Sequence, residues 1–360
     1  MQDEIIFRRS RPDATARSGL VVLFGSGETS LSGGRIFEAV ARRLPGVPRV
    51  AILETPAGFE PNSAQVAGRV ADFLRQRLHN YRPEIAVIPA RKRDTPFSPD
   101  DPALLQPMLG ANLIFLGPGS PTYAVRQLEG SRAWHTLVTR HRLGAAIVLA
   151  SAATLAASAH TLPVYEIYKV GEELGWRTGL NFFGPYGLSP VFIPHWNNAE
   201  GGAELDTSRC FMGLARFAQL LALLPPDMSV VGIDEHSALV IDLEVGLCQV
   251  LGLGGVTVLK SGQEQHFARG ESFSLAALGP FRRPEPASEI PSAVREEVLA
   301  AQAQAEIRLQ APAEVSALVE ARQAARARQD WATADVLRQR IATLGWRLLD
   351  TPEGPRLEPM

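Results

Sequence analysis

The sequence contains very little cysteine and very little lysine. Cys210 and Cys248 are the only cysteines, and just three of the 36 basic residues are lysines, namely Lys92, Lys169 and Lys260. Two cysteines exclude a disulfide scaffold, a four-cysteine zinc site and an iron–sulfur cluster, and they are typical of a reducing compartment. Because the histidines also lack metal-ligand spacing, we predict no metal centre.

Long hydrophobic runs and net charge are also lacking. No stretch approaches the ~18 uninterrupted apolar residues of a membrane-spanning helix, and the apolar segment Leu20–Phe24 is too short for a signal peptide. A formal net charge of −2 excludes overall attraction to nucleic acid or anionic lipid. We therefore predict a cytoplasmic protein without a membrane partner. The hydrophobic content of 46% can form a sizeable core, and at about 150 residues per domain the length predicts roughly two domains.

Short apolar runs divide the first 150 residues at intervals of roughly 30 residues. Continuous Val, Ile and Leu, without polar alternation, is typical of parallel strands buried on both faces. Helical segments are predicted between the runs, for example at 34–44, 64–78 and 131–142. We therefore predict an α/β fold with a doubly wound, mostly parallel sheet. The runs are Leu20–Phe24, Val50–Leu53, Ile85–Ile88, Leu113–Leu116 and Ala145–Ala150.

The composition changes twice in the second half of the chain. From Ser229 to about Leu278 strands and turns predominate, which predicts a continuation of the sheet followed by a small antiparallel extension. A proline-dense stretch follows, and beyond it the chain is Ala-rich and helical, with a final small hairpin. We predict a sheet domain at 1–279, a linker at 280–291 and a small helical domain at 292–360.

Ser151 stands where the fifth apolar run ends and an Ala-rich helix begins. Such a strand–serine–helix junction lifts a hydroxyl to the edge of the sheet, and it offers the next backbone N–H, that of Ala152, as an oxyanion donor. The alternative is that Ser151 is an ordinary helix N-cap.

Two further side chains follow apolar stretches. His195 comes directly after Ile193-Pro194 and has the placement of a general base for a serine. Glu235 follows Val230–Ile233, where a carboxylate could orient a histidine. The alternatives are a loop histidine packed beside Trp196 and a solvated turn acid.

Two glycine loops also lie at predicted strand ends. Gly119, in Gly117-Pro118-Gly119, could present a second oxyanion N–H, although strand-to-helix turns commonly use glycine in any case. Residues 25–28 superficially resemble a phosphate loop, but the Gly-Lys-Ser/Thr ending is missing. We therefore predict no nucleotide cofactor.

Taken in order, these motifs resemble the aspartyl dipeptidase and cyanophycinase family of serine peptidases, whose fold is similar to that of class I glutamine amidotransferases. The resemblance covers roughly residues 19–278. It rests on residues 24–28, 115–120, 149–153, 194–196 and 231–240.

The resemblance implies a role for each site residue. Ser151 would be the nucleophile, His195 the general base and Glu235 the acid that orients the imidazole. Gly119 and Ala152 would supply the oxyanion donors. Family members cleave peptide bonds next to aspartate, α- or β-linked, without metal or cofactor. The predicted partner is therefore a small peptide substrate, and a homodimer is a further expectation.

Arginines near the substrate are also implied. Arg209 and Arg216 lie roughly where relatives keep them, and Glu28 is a third candidate for substrate binding. The serine turn departs from the family pattern Gly-x-Ser-Ala-Gly, because Leu149 and Ala153 replace the two glycines. A leucine is harder to accommodate than glycine at a strained turn. The Asp-Gln pair of cyanophycin-degrading relatives is replaced by Ile193-Pro194, which argues against cyanophycin itself.

The C-terminal segment resembles the last segment of bacterial cysteinyl-tRNA synthetases over about 40 residues. In those enzymes this small domain contacts the anticodon part of tRNA. Six arginines and two aspartates lie between positions 322 and 347, a local charge of +4. Arg322 and Arg326 share a helical face, and with Arg338 they are candidates for binding RNA phosphates. The alternatives are a solvated helix face or a subunit contact.

Two hypotheses follow from the sequence. The first is a metal-free serine hydrolase acting on aspartyl or isoaspartyl peptides through an acyl-enzyme. The second is an RNA-binding protein whose hydrolase-like domain is catalytically silent or has a tRNA-linked role. No other part of a synthetase is recognisable, since its His-Ile-Gly-His and Lys-Met-Ser-Lys-Ser signatures and its zinc cysteines are missing.

Overall fold

The computed structural model describes residues 18–284, 289–309, 312–351 and 354–359. The chain divides into two compact units, residues 1–298 and residues 299–360. The predicted linker at 280–291 lies partly outside the described residues, since 285–288 are not among them. The predicted domain boundaries stay predictions.

A sheet of eight strands organises the described part of the first unit. Five are parallel, in the spatial order β1-β5-β4-β2-β3, and three antiparallel strands extend the β1 edge in the order β10-β11-β14. The parallel strands are β1 (Val21–Phe24), β2 (Arg49–Leu53), β3 (Glu84–Ile88), β4 (Leu113–Leu116) and β5 (Ala146–Ala150). The antiparallel strands are β10 (Ser237–Asp242), β11 (Leu247–Gly252) and β14 (Ser272–Ser274).

A smaller sheet has the order β13-β12-β9-β8, in which β8 and β9 are parallel. Its strands are β8 (Val191–Ile193), β9 (Val230–Ile233), β12 (Val256–Lys260) and β13 (Gln263–Phe267). A two-stranded ribbon pairs β6 (His160–Thr161) with β7 (Arg177–Thr178).

Helices connect the strands of the first unit and cover the sheet with apolar side chains. One core cluster includes Ile36, Phe37 and Leu74, and another includes Leu105, Trp134 and Ala153. The helices are α1 (Leu31–Ala41), α2 (Ser63–Arg77), α3 (Pro102–Leu109), α4 (Pro121–Leu128), α5 (Arg132–Arg142), α6 (Ala152–Ala156) and α7 (Gly213–Ala222). Short 3₁₀ turns lie at Thr55–Ala57, His79–Tyr81, Gly184–Tyr186 and Leu275–Leu278, and a π-helical turn lies at Glu166–Val170.

The predicted fold class is confirmed: the larger sheet is mostly parallel and carries helices between its strands. Each of the five apolar runs forms a strand, with ends that shift by one residue at most. The predicted continuation of the sheet is correct for β10 but not for β9 and β12, which belong to the second sheet. The physical reason is partner choice: β9 pairs with β8 and β12 rather than with the larger sheet.

The C-terminal segment begins with helix α8 (Ser292–Leu309). The described residues of the second unit then form α9 (Ala313–Ala327), α10 (Trp331–Thr343) and a hairpin of β15 (Trp346–Thr351) with β16 (Gly354–Pro359). A small apolar core joins the two helices to the hairpin, and its buried members are Val315, Ile341, Trp346 and Leu348. The predicted helices and hairpin are present here.

Candidate active site

Ser151 occupies a sharp turn between β5 and α6. Its backbone angles are φ +52° and ψ −109°, a combination that non-glycine residues rarely adopt and that typifies the nucleophile turn of sheet hydrolases. Thr154 fastens the turn, because its hydroxyl donates to the carbonyls of Phe24 (3.0 Å) and Leu149 (3.1 Å). Among the described residues, the Ser151 side chain makes no helix-capping hydrogen bond. Ser151 therefore occupies the N-cap position of α6 without capping the helix through its side chain.

The structure brings Ser151, His195 and Glu235 together in a hydrogen-bonded chain. Ser151 Oγ lies 2.9 Å from His195 Nε2, and His195 Nδ1 lies 2.8 Å from Glu235 Oε1. The three residues follow β5, β8 and β9, which belong to two different sheets. The His195 N–H donates to the Gly25 carbonyl at 3.1 Å, which links the end of β8 to the end of β1. This is the arrangement in which an imidazole can accept the proton of a hydroxyl.

Two asparagines hold Glu235 from the loop after His195. Asn198 Nδ2 donates to Glu235 Oε1 at 2.9 Å, and Asn197 Oδ1 accepts the Glu235 N–H at 2.8 Å. The hydrogen bond from His195, together with that from Asn198, lowers the pKa of the Glu235 carboxyl below its ordinary value. Sequence reasoning missed this use of the asparagines. Their only signal was the pair of amides immediately after His195-Trp196.

Gly119 and Ala152 lie just beyond the ends of two adjacent parallel strands, β4 and β5, at the same edge of the sheet. Leu116 and Leu149 are register partners on adjacent parallel strands, so Gly119 and Ala152 each lie three residues beyond that pair. The helices that follow, α4 and α6, contact each other. Among the described residues, neither N–H donates a hydrogen bond to a protein acceptor. Their predicted role as oxyanion donors stays a prediction.

Gly119 is required by space as well as by conformation. Its φ is +146°, and a Cβ at this position would lie 1.9 Å from the Pro56 carbonyl oxygen. The neighbouring Ser120 N–H donates to that same carbonyl at 2.9 Å. The backbone near Ser151 is thus fixed by close contact with the 3₁₀ turn after β2.

Leu149 and Ala153, which stand where the family pattern has glycine, are both buried in the core. Leu149 is a fully buried residue of β5, paired with Leu23 and Leu116, and its side chain belongs to the core. Ala153 is buried in the same cluster. The positive φ of the turn falls on Ser151 and not on Leu149, so the leucine lies in the regular part of β5.

Glu28 is half-buried in the loop after β1. Burial raises the pKa of its carboxyl, while its own backbone N–H and the nearby His195 and His236 partly oppose that rise. Gly27 gives the loop its tight path, with φ +74° and a position where a Cβ would lie 2.4 Å from His236 Nδ1. Glu28 therefore lies near the imidazoles of the site, and its predicted role in substrate binding stays a prediction.

The side chains of Arg209 and Arg216 both donate hydrogen bonds to backbone carbonyls. Arg209 donates to the Trp196 carbonyl at 3.0 Å, and its guanidinium lies 3.8 Å from the centre of the Trp196 ring. Arg216 donates from Nε to the Met212 carbonyl at 2.7 Å and from Nη2 to the Phe211 carbonyl at 2.8 Å. Their role in substrate binding stays a prediction.

The arginines predicted to bind RNA divide into buried and exposed ones. Arg322 is buried and makes two hydrogen bonds of 2.9 Å to the carboxylate of Asp350. Arg326 also contacts Asp350, at 2.7 Å. This pairing lowers the pKa of Asp350 to about 2. Arg338 is exposed on α10. Of the three, Arg338 is the one without an ion pair to Asp350, and its predicted contact with RNA stays a prediction.

The described part of the chain contains no group of three or more His, Cys, Asp or Glu side chains placed to hold a metal ion. Within the same residues, no helix combines the length and apolar character needed to cross a membrane. Both cysteines are buried, and burial raises the pKa of each thiol to about 12.

The first unit is thus an α/β fold in which Ser151, His195 and Glu235 form a hydrogen-bonded chain. Among solved structures, the chain resembles a peptidase from an acI-B1 Actinobacterium, with a TM-score of 0.57 and 24% identity. The match covers 72% of this chain and 98% of that one. It shows that the two share a fold.

The C-terminal segment has separate relatives. Residues 310–351 match the family described as the cysteinyl-tRNA ligase anticodon binding domain. The cysteine–tRNA ligase of Opitutus terrae is 56% identical over 48 residues, and that of Methanosarcina acetivorans is 51% identical over 47. Each match covers 13% of this chain and 10% of the ligase. The chain thus spans about a tenth of the length of the curated relatives it matches.

Proposed function

We propose that this protein is a metal-free serine peptidase that cleaves small aspartyl or isoaspartyl peptides. The observation that carries the proposal is the continuous chain of hydrogen bonds from Ser151 Oγ through His195 to Glu235, built on a strained turn at Ser151. A serine hydroxyl becomes a nucleophile when a general base contacts it and a third group orients that base. His195 and Glu235 are placed to fill these two roles for Ser151.

The reaction would proceed in two steps. Ser151 Oγ attacks the scissile carbonyl while His195 Nε2 takes its proton, and Glu235 holds the imidazolium through Nδ1. The carbonyl oxygen becomes an oxyanion that the N–H groups of Gly119 and Ala152 can bind. His195 then protonates the leaving amine. Water, deprotonated by the same imidazole, hydrolyses the acyl-enzyme and restores the hydroxyl of Ser151.

The choice of aspartyl peptides rests on the sequence resemblance described above, and the shared fold of a peptidase structure supports the broader class. The test is hydrolysis of paired dipeptides that differ in one group, α-Asp-Leu, β-Asp-Leu and Asn-Leu, with and without a chelator. We expect cleavage of at least one aspartyl peptide, no cleavage of the asparagine analogue, and no effect of the chelator. Ser151→Ala should lower the rate by at least about 10⁴-fold.

Equal cleavage by Ser151→Ala would remove the nucleophile assignment, and preference for Asn-Leu would remove the substrate assignment. A chelator-sensitive rate would contradict the metal-free reaction.

We also propose, as a second function, that the C-terminal segment binds tRNA. The match of residues 310–351 to an anticodon binding domain motivates it. Two exposed side chains on α10 are suited to contact RNA. Arg338 can meet a phosphate, and Trp331, 58% exposed, can stack on an unpaired base. Arg326 lies 6.0 Å from the Trp331 ring centre and adds positive charge beside it.

Full-length protein and tRNA, titrated at several salt concentrations, test this second proposal. Arg338→Glu should weaken binding and reduce the slope of log affinity against log salt concentration by about one. Trp331→Ala should weaken binding with little change in that slope. The control is Arg75→Glu, an exposed arginine of the first unit. Affinity that is absent, or equal in all variants, would contradict the proposal.

A further inference from the structure

The loop before α7 packs directly against the general base. We call residues 206–212 the His195 strap. Its Arg209 N–H donates to the Trp196 carbonyl at 2.9 Å, and its Cys210 N–H donates to the His195 carbonyl at 3.1 Å. The Phe211 ring then lies 5.6 Å from the imidazole of His195, centre to centre. The strap therefore contacts both the backbone and the ring of His195.

The strap adopts a backbone path that its own residues do not favour. Three consecutive non-glycine residues have left-handed φ values: +57° at Arg209, +58° at Cys210 and +67° at Phe211. Such a run persists only where surrounding contacts enforce it. Relaxation of the run to ordinary φ values would move the Phe211 ring and the two N–H donors away from His195.

Arg216 supplies the contact that enforces this path from the helix side. It projects from α7 and donates to two successive carbonyls, Phe211 and Met212, at 2.8 and 2.7 Å. These carbonyls close the left-handed run. A guanidinium is suited to holding both, since its planar fork can bond two acceptors at once. Asp206 assists at the other end, where it accepts from the Ser208 and Leu214 N–H groups.

We propose that Arg216 is a positioning residue that holds the His195 strap, and through it the imidazole, in line with Ser151. The inference rests on the proposed serine-hydrolase function. It gives Arg216 a role other than contact with the substrate's carboxylate.

The experiment measures how fast a small alkyl fluorophosphonate labels Ser151. This probe carries no carboxylate, so an arginine that served only to bind an aspartyl side chain would not affect it. We expect Arg216→Ala to lower the maximal labelling rate constant by about 100-fold, the size of effect that a misplacement of about 1 Å can produce, with an unchanged half-saturating probe concentration. Arg216→Lys should retain an intermediate rate, and guanidinium ion should partly restore Arg216→Ala. Gln219→Ala, an exposed position on the same helix, is the control with wild-type rates.

The outcomes separate this proposal from the proposed function. A wild-type protein that fails to react overturns both. A wild type that reacts, with Arg216→Ala reacting at the same rate, overturns the positioning role alone. A change confined to the half-saturating concentration means that Arg216 contacts the ligand, and it also overturns the positioning role. If Arg216→Ala does not fold, Arg216→Lys decides: a folded variant with the full wild-type rate contradicts the proposal.

Discussion

Unusual backbone angles at single residues shape the candidate site. Ser151 and His195, which share a hydrogen bond, have φ values of +52° and +51°. Each such non-glycine conformation costs about 1–3 kcal/mol, and it must be offset by the surrounding structure. The contacts that offset it here are backbone ones, such as the His195 N–H on the Gly25 carbonyl. The unusual backbone conformations therefore fall on the two residues that we propose as nucleophile and base.

Leu149 provides a prediction at the scale of one residue. Since it is buried on β5 between Leu23 and Leu116, Leu149→Ala should lower the free energy of unfolding by about 2–5 kcal/mol. The fluorophosphonate labelling rate of the folded fraction should not change, because the strained turn begins at Ser151. Denaturant unfolding and labelling below the melting temperature check both parts. Leu149→Met is the matched control, with a loss below about 1.5 kcal/mol. A leucine that limited the turn would instead give faster labelling in Leu149→Ala.

Because the Glu28 carboxyl is buried, we predict that the stability of the folded protein depends on pH. Burial raises its pKa above the ordinary value of 4.5 in the folded protein. The stabilising contribution of this group is therefore present at low pH and is lost as the pH rises through the folded-state pKa. Glu28→Gln removes the buried charge, so it should raise the melting temperature at pH 7–8 and have little effect near pH 4. Thermal melts of both proteins across this range give the answer. A larger benefit at pH 4 than at pH 8 would contradict the sign.

At the scale of elements, the site forms where strand ends from two sheets converge. Ser151 follows β5 of the larger sheet, while His195 and Glu235 follow β8 and β9 of the smaller one. Neither sheet alone holds both Ser151 and His195, the proposed nucleophile and base. The junction between them depends on close backbone approach, as at Gly25, where a Cβ would lie 2.2 Å from the Asp234 carbonyl oxygen.

Substitution of Gly119 tests whether its N–H belongs to the proposed oxyanion site. Gly119→Ala would place a Cβ against the Pro56 carbonyl and force alanine into φ +146°. The loop must then move, so we expect labelling and peptide hydrolysis to fall by about 10²–10³-fold, the usual effect of losing one donor. The control is Gly110→Ala, which has φ −101° and open space around its Cβ. Full activity in Gly119→Ala would remove Gly119 from the oxyanion site.

The parallel strands were predictable because each is an uninterrupted apolar run, a local signal. The assignment of β9 to a second sheet was not, since its partners β8 and β12 are distant in the chain. The site shows the same contrast. Ser151, His195 and Glu235 follow apolar runs and match a family pattern. The His195 strap carries no local signal, because Arg209, Cys210 and Phe211 are not residues that favour left-handed turns.

At the scale of the whole molecule, each of the two compact units contains a different candidate functional region. The first unit holds the serine site, and the second holds the segment that matches an anticodon binding domain. The small core of the second unit is supplemented by the ion pair of Arg322 with Asp350. The near-neutral charge of the chain conceals the local excess of arginine between positions 322 and 347.

Asp350→Asn tests how the second unit is held together. It leaves the Arg322 guanidinium buried without its counter-ion, and breaking such a pair costs up to about 3 kcal/mol, less where one partner is exposed. The loss should be confined to the second unit, as measured by amide hydrogen exchange of α9 and α10. In the wild type, the pKa of about 2 at Asp350 means that this stabilisation is present above the ordinary value of 3.8 and is lost as the pH falls through 2. Unchanged exchange in α9 would contradict the role of the pair.

The most direct test of whether Ser151 is a nucleophile activated by His195 is intact-mass and peptide-level analysis of the full-length protein after reaction with a fluorophosphonate. We predict a single adduct on Ser151 in the wild type, no adduct in Ser151→Ala, and strongly slowed labelling in His195→Ala. An unmodified wild type, or an adduct that forms equally in Ser151→Ala, would contradict it.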